Sequence, residues 1–323
     1  MTMKPLSAIR VGIIGLGAIG EYMLEHFIKH PDTEVVAVCD VAKEKAQLIS
    51  QQLGDVAWYT DYKELLQSSE VDMVYVAVPP KYHHAVALDV LAYGKHILCE
   101  KPLANSLEEA REMVDQANQA GVVHAMNFPV YYRNAVNEIK HFLSSGSVGD
   151  IRRIEIITQF HKWPREWQQT EWIGGREQGG FVREVIPHFI QLIHALYGRL
   201  EHIQSQLEFP QDPSKSETGI VATMKLADGT PVLVNGFSQI AQQERISFTI
   251  YGTKGTISLV NWSRLEFGRY GEPLAEIPVE PNDNYQEMIT QFARAIKGEP
   301  ANQIGFQEGY EIQKVLEALL QKM

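Results

Sequence analysis

The chain has 323 residues, 45% hydrophobic and 21% charged, and a formal net charge of −11. That length is enough for two domains with a core each, and the balance is that of a globular protein, which excludes disordered and fibrous classes. No basic tract or basic-aromatic stripe offers a footprint for nucleic acid, and no apolar run reaches the roughly 20 residues of a membrane span, so neither is an expected partner.

The N-terminal MTMKPLSAIR lacks the apolar segment of a secretory signal, which makes a cytoplasmic protein the expectation. Residues 9–40, IRVGIIGLGAIGEYMLEHFIKHPDTEVVAVCD, give an apolar strand, glycines at 15, 17 and 20, an amphipathic helix and a second strand ending in Asp40. That order is the βαβ fingerprint of dinucleotide binding. Gly15 permits the tight turn, Gly17 admits the backbone to a pyrophosphate, and Gly20 lets helix and strand pack closely. The amides around Ala18 and Ile19 then face the phosphates. Asp40 is placed to accept from the adenosine ribose hydroxyls and to repel a 2′-phosphate, so NAD is expected over NADP.

The alternation continues with a helix over 42–53, a strand over 57–59, a helix from Asp61 and a strand over 73–78. The turn VPPKYHH follows, stiffened by Pro79 and Pro80. It lies on the same sheet edge as the glycine turn, and Val78, Pro79, Pro80 and His83 are candidate cofactor contacts. Next come a helix to Tyr93, the strand 96–99, a helix over 106–120 opened by the capping box of Ser106 and Glu109, and a strand over 122–126. Parallel crossovers of this kind build a doubly wound sheet. Lys101 stands just past the strand 96–99, at the edge where open α/β sheets bind ligands. It is either a chemical group or a lysine that only solubilises a loop. Cys39 and Cys99 end apolar runs and read as buried thiols, and no Cys or acidic residue stands near His83 and His84 at zinc spacing, so no metal is expected.

From Asn127 the pattern changes to one helix over 134–143 and then alternating runs at 151–159, 220–225, 232–236 and 247–251, read as antiparallel strands. The division is therefore 1–126, a dinucleotide-binding α/β domain, and 127–323, an α+β domain for substrate binding and oligomerisation. Helices over 285–297 and 307–321 are expected on the outside of the second domain. In GGFVREVIPHFIQLIHALYG, Phe189, Ile190, Ile193, Leu196 and Tyr197 recur at helical spacing, with Gly198 as the stop. Glu184 and His188 are four apart and share a face if both are helical. Pro187 fits only the first turn or a kink, which allows Glu184 to precede the helix. Asn127, Tyr131 and Arg133 are candidate lining residues, Asn127 on the cofactor side. In the segment 161–180, Trp163, Trp167 and Trp172 with Arg165 and Arg176 bind a sugar-like substrate by stacking and hydrogen bonding, pin a surface loop or form a subunit contact.

GLGAIG, AVPPKYHHAVALDVLAYGKHILCEKPLA, GGFVREVIPHFIQLIHALYG and YGTKGTISL together resemble the glucose-fructose oxidoreductase and inositol dehydrogenase family (Gfo/Idh/MocA) in order along nearly the whole chain. The resemblance implies an N-terminal Rossmann domain and a C-terminal α+β domain whose large, mostly antiparallel sheet forms the interface of a homodimer or homotetramer. It implies hydride transfer between NAD(P) and a hydroxyl-bearing carbon of a sugar, polyol or related small molecule. It further implies a Glu100-Lys101-Pro102 triplet beside the cofactor, with a cis bond before Pro102, and Lys101 and His188 reaching the reacting carbon. Here Glu184 stands where the family's commoner motif has aspartate, with no glycine between it and His188. Glu184 thus orients His188, contacts substrate or pairs with Arg183.

A histidine with an unperturbed pKa of about 6.5 suits the acid/base task, and a lysine ammonium suits polarisation of the oxygen. Two other readings stand beside this one: a non-catalytic sensor of NAD state or a metabolite, and a reductase of C=N or C=C bonds.

Overall fold

The computed structural model describes residues 8–168 and 170–321. The first seven residues of the N-terminal stretch MTMKPLSAIR, on which the cytoplasmic expectation rests, fall outside them. Two compact units divide the chain, one running to Asn127 and taking in Tyr285–Tyr310, the other comprising Phe128–Asn284 and the chain from Glu311.

The first unit holds strands β1 (Ile9–Ile14), β2 (Thr33–Cys39), β3 (Ala57–Tyr59), β4 (Met73–Val76), β5 (His96–Cys99) and β6 (His124–Met126), with helices α1 (Ala18–Lys29), α2 (Lys43–Gln52), α3 (Tyr62–Leu66), α4 (His83–Ala92) and α5 (Leu107–Ala120). The strands pair in parallel in the order β3-β2-β1-β4-β5-β6, the doubly wound sheet expected. β4 and β5 are almost wholly buried, as their uninterrupted apolar runs require of strands covered on both faces. α5 starts where its capping box sets it: Glu109 N–H donates to Ser106 Oγ at 3.2 Å, and Glu109 Oε2 accepts from Asn105 N–H at 3.0 Å. Gly121, at φ 64°, ends it.

The second unit holds α6 (Asn134–Ser144), β7 (Ile151–Phe160), α7 (Phe181–Tyr197), β8 (Leu200–Glu208), β9 (Gly219–Leu226), β10 (Pro231–Ser238), β11 (Arg245–Gly252), β12 (Gly255–Val260), β13 (Arg264–Arg269) and β14 (Ala275–Ile277). Its eight strands form one sheet in the order β14-β13-β12-β11-β7-β10-β9-β8. All pairings are antiparallel except that of β7 with β10, which is parallel, Val232 opposite Ile154. These two runs were read as antiparallel strands. The difference follows from the connection: α7 and two further strands intervene, so β10 returns in the direction of β7. One sheet face carries Ile154, Ile156, Val232, Val234, Ile246, Phe248 and Ile250, each 0–1% exposed, and α7 lies on it. Gly236 makes room for the start of α7, since a Cβ there would sit 2.8 Å from the Phe181 ring and against the Thr158 hydroxyl.

The two outer helices are α8 (Asn284–Ile296) and α9 (Phe306–Leu319). The expectation that both belong to the C-terminal domain is corrected for the first residues of α9, Phe306–Tyr310, which fall in the first unit, and for α8. It packs with α1: Tyr285 lies 5.0 Å from the rings of both Tyr22 and His26, His30 Nε2 meets Thr290 Oγ1 at 2.9 Å, and Gln286 donates to His26 C=O at 2.8 Å. The apolar stripe of α8 fixes that a helix forms, but not which core covers it.

Candidate functional site

Within the first unit, the expected cofactor residues gather at the carboxyl edge of the parallel sheet. Gly15 has φ 94°, and a Cβ on it would lie 2.6 Å from the Ala77 carbonyl oxygen. A Cβ on Gly20 would run into the Gly15 carbonyl oxygen. These two glycines are demanded by packing. At Gly17 a Cβ would meet no protein atom within 4 Å. Gly17, Ala18 and Ile19 are exposed, and no side chain caps α1. The amides of its first turn are thus available to an anion, which is what a pyrophosphate needs.

Asp40 Oδ2 accepts from Leu16 N–H and Oδ1 from Ala42 N–H, both at 2.8 Å. The carboxylate therefore braces the glycine turn and still has lone pairs for ribose hydroxyls. On the next turn, Pro80 is buried and Tyr82 N–H closes onto Pro79 C=O at 2.9 Å. His83 is 1% exposed, with Nε2 2.9 Å from Val78 C=O and Nδ1 2.8 Å from Pro102 C=O. Burial pulls its pKa down, against the upward push of the carbonyls that face its two nitrogens. His83 is a strut between two turns, both ring nitrogens facing backbone, rather than a side chain offered to a cofactor.

Lys101 follows β5, half-buried, and the Lys101-Pro102 bond is cis, as the resemblance implies. Beside it in the chain begins a polar cluster of which the sequence reading named Glu100 and Asn127 but not Tyr75. Glu100 accepts from the Tyr75 hydroxyl and from Asn127 Nδ2, and its Oε2 lies 3.3 Å from Lys101 N–H. Tyr75 is fully buried, and burial together with the Glu100 charge holds its phenol well above its usual range. Asn127 Oδ1 is buried with no hydrogen-bond partner among the described residues, an acceptor still to be satisfied beside Lys101 and Glu100. The open Gly17 cradle, uncapped α1, Asp40 and the Asn127 acceptor together fit a bound dinucleotide. A tyrosine inside the apolar run MVYV was the available signal for this cluster, because a buried phenol requires a partner.

In the second unit, α7 begins at Phe181 and runs through Pro187. This corrects the reading in which Glu184 precedes the helix. Glu184 N–H bonds to Gly180 C=O at 3.0 Å, so Glu184 and His188 are one turn apart on a continuous helix. The helix tolerates an interior proline because its start is held from outside. Glu217, buried, accepts from Val182 N–H at 2.8 Å, and Gly180 at φ 102° leaves room for that carboxylate. Arg183 is 1% exposed and donates to Gly179 C=O at 3.3 Å. Burial lowers its pKa, opposed by Glu317, Glu217 and, least of the three, Glu184. Arg183 thus faces three carboxylates, Glu317, Glu217 and Glu184, the last from the turn of α7 that it shares.

His188 sits between two perpendicular rings, Phe128 at 5.6 Å and 83° and Trp262 at 5.5 Å and 84°. Neither neighbour was anticipated. Tyr131 is half-buried with Lys140 Nζ over its face at 4.0 Å, and Arg133 is half-buried just before α6.

The tryptophan segment follows the loop reading at most positions. Trp163 is buried, its indole donating to Ile173 C=O at 3.3 Å and packing on Phe160. Arg165 is committed to Glu244 through two bonds of 2.9 Å and stacks at 4.8 Å on Phe160. Arg176 lies 3.8 Å over the Phe209 ring and donates to Lys215 C=O. Trp172 is half-buried in a short 3-10 turn, Glu171–Gly174. Trp167, 60% exposed, is the open aromatic of the group. Among the described residues no cluster of His, Cys, Asp or Glu suits a metal ion, and no helix is long and apolar enough to cross a membrane.

Two family profiles match. Residues 9–128 match the "Oxidoreductase family, NAD-binding Rossmann fold" and residues 136–258 the "GFO/IDH/MocA C-terminal domain". D-glucoside 3-dehydrogenase of Escherichia coli K12 is 33% identical over 152 residues, a match covering 47% of this chain and 42% of that relative, less than half its length. Among solved structures, a putative NADPH-dependent oxidoreductase from Desulfitobacterium hafniense superposes with a TM-score of 0.89 at 19% identity, covering 99% of this chain and 96% of the other. Levoglucosan dehydrogenase in complex with NADH does so with a TM-score of 0.83 at 20% identity, covering 98% and 96%. Likeness at these identities establishes the shared fold.

Proposed function

The chain belongs to the GFO/IDH/MocA oxidoreductase family, with an NAD-binding Rossmann domain, and from that premise we propose that it is a dehydrogenase of a sugar, polyol or related alcohol. The observation that carries the proposal is the meeting, on one sheet edge, of an open phosphate cradle at Gly17 with Lys101 at the end of β5. A bound nicotinamide supplies the acceptor for hydride. The chain's own residues bind, orient and move protons. Amides at the start of α1 hold the pyrophosphate, and Asp40 holds the ribose. Asn127 Oδ1 accepts from the carboxamide, the polar group at the reactive end of the cofactor.

Lys101 polarises the substrate oxygen and stabilises developing alkoxide charge, and His188 exchanges the hydroxyl proton. Glu184, one turn before His188, orients it. The sugar class is supported by the glucoside and levoglucosan named for two similar proteins.

NAD is the preferred cofactor because the Asp40 charge stands where a 2′-phosphate would lie. The lysines closest after it are engaged elsewhere: Lys43 Nζ lies 6.0 Å over Trp58, and Lys45 pairs with Glu21 at 2.5 Å. A homodimer or homotetramer through the open face of the eight-stranded sheet completes the proposal, supported by Val221, 57% exposed there beside half-buried Leu233 and Phe237.

The test is nicotinamide absorbance with NAD or NADP and a panel of glycosides, aldoses, cyclic polyols and sugar acids, for wild type and Lys101→Ala. Turnover with NAD that is lost in the variant supports the assignment. Wild-type rates in both Lys101→Ala and His188→Ala would remove it.

A further inference from the structure

The hairpin joining β12 to β13 contains a residue that local preference does not explain. Ser263 N–H bonds to Val260 C=O at 3.3 Å, and the two enclosed residues, Asn261 and Trp262, have φ of 46° and 74°. Val260 pairs with Arg264, so three residues form the loop, and its first two are successive left-handed residues, a conformation that favours asparagine and glycine. Asn261 conforms, and it also closes the ladder. Its N–H donates to Ile246 C=O at 2.8 Å, while its Oδ1 accepts from Ile246 N–H at 3.0 Å. The second position instead carries tryptophan, in a backbone region that bulky L side chains adopt only at a cost.

The strained backbone aims the indole at one place. Trp262 stacks on Phe189 at 5.3 Å and 8°, and Phe189 stacks on Phe248 at 5.9 Å and 11°, so three parallel rings rise from the sheet. The outermost, Trp262, stands perpendicular to His188, which meets Phe128 in a second perpendicular contact. Phe128, Phe189 and Phe248 are 0–1% exposed and belong to the rigid interior. Trp262 is half-buried, and it is the wall of the histidine slot that a hairpin rather than the core supplies.

We propose that Trp262 is a positioning residue for His188: the left-handed Asn261-Trp262 turn holds the indole against the imidazole and keeps that ring in one orientation. The contact stands on geometry alone, whereas its consequence for turnover rests on the acid/base role assigned to His188 above. A purely structural Trp262 predicts something different. Glycine suits the vacated turn position, and loss of the ring would then leave His188 where it is.

The test uses histidine-labelled protein as wild type, Trp262→Gly and Trp262→Phe, with His188→Gln to assign the signals. Three-bond couplings of His188 report its χ1, and ring carbon relaxation reports its motion. One fixed rotamer is expected in wild type and in Trp262→Phe, and averaging among rotamers in Trp262→Gly, with thermal midpoints within a few degrees of one another. On the alcohol identified by the panel, turnover of Trp262→Gly should fall about 10- to 100-fold with the KM for NAD unchanged, since misplacing a reacting group by about 1 Å has that effect. Trp262→Leu, which keeps bulk but no ring, should behave as the glycine variant does and replaces it if that variant does not fold. A single fixed His188 rotamer in the glycine or leucine variant overturns the proposal whatever the activity. Averaging in those variants, with turnover unaltered in them and in His188→Gln, leaves the positioning contact standing and removes the acid/base role instead.

Discussion

A lysine at the end of a buried strand needs an explanation in chemistry or in solvation, and the proposed function assigns Lys101 to chemistry. Lys101 is half-buried, its backbone N–H 3.3 Å from Oε2 of Glu100, a buried carboxylate already bonded to a phenol and an amide, and the proposed dehydrogenase reaction gives its ammonium a task. Lys101→Ala should therefore lower turnover by about 10²-fold or more, the usual worth of one positioned polar catalyst, while the dissociation constant for NAD changes little; stopped-flow turnover and fluorescence titration separate the two. That cluster makes its own prediction at this scale. Tyr75→Phe removes a donor from a buried carboxylate and should cost about 1 to 3 kcal/mol of stability, read as a lower urea midpoint at unchanged slope. His83 shows the opposite case. The sequence places it correctly on the cofactor edge, but proximity in a turn does not say which atoms a ring will face, and both of its nitrogens face backbone.

The glycine turn and α1 show what a sequence can and cannot convey about an element. Gly15 and Gly20 are legible because each answers a steric demand internal to the βαβ unit: close approach to Ala77, and contact of helix with turn. Gly17 answers no contact within the protein, so its purpose lies outside it. The two kinds of glycine should separate on mutation. Gly17→Ala should retain the wild-type thermal midpoint and weaken NAD binding at least about tenfold, whereas Gly20→Ala should lose stability and binding together because the helix must move off the turn; calorimetric titration and thermal melts of the pair distinguish the cases. Less was legible in α7. Periodicity identified the Phe189, Ile190 and Ile193 stripe, but Pro187 argued for a later start. The cap that permits an early one comes from Glu217, more than thirty residues on in sequence. The parallel pairing of β7 with β10 and the allegiance of α8 to the first unit were hidden for the same reason, since alternation and amphipathicity specify a buried face and not its partner. The Asn261-Trp262 turn lay in plain view as an asparagine followed by the wrong residue. It became informative only when the rings it reaches were known.

Both units carry histidines kept neutral by burial, and this gives the whole molecule an acid limit that can be computed in sign. His30, His83, His96 and His124 in the first unit and His194 in the second all have pKa values lowered mainly by burial, that of His194 to about 4. When the folded pKa lies below the unfolded one, the unfolded chain takes up protons first as pH falls. Stability is then complete above the ordinary imidazole value of about 6.5 and declines below it, by up to about 1.4 kcal/mol per pH unit for each histidine until its folded pKa is reached. The depressed carboxylates do not act in this window. Asp72 is held down by Arg10, and Asp212 and Asp228 by their hydrogen bonds to Ser214 and Thr230, so their effect begins only below the usual carboxylate range of about 4. The thermal midpoint should therefore be flat from pH 8 to 7 and fall by several degrees between pH 6.5 and 5, the range in which imidazoles rather than carboxylates take up most of the protons. His194→Gln removes the histidine with the widest window and should make that decline visibly shallower without changing the midpoint's flatness above pH 7. An unchanged slope in the variant would assign the acid lability to the first unit, where the other four histidines reside.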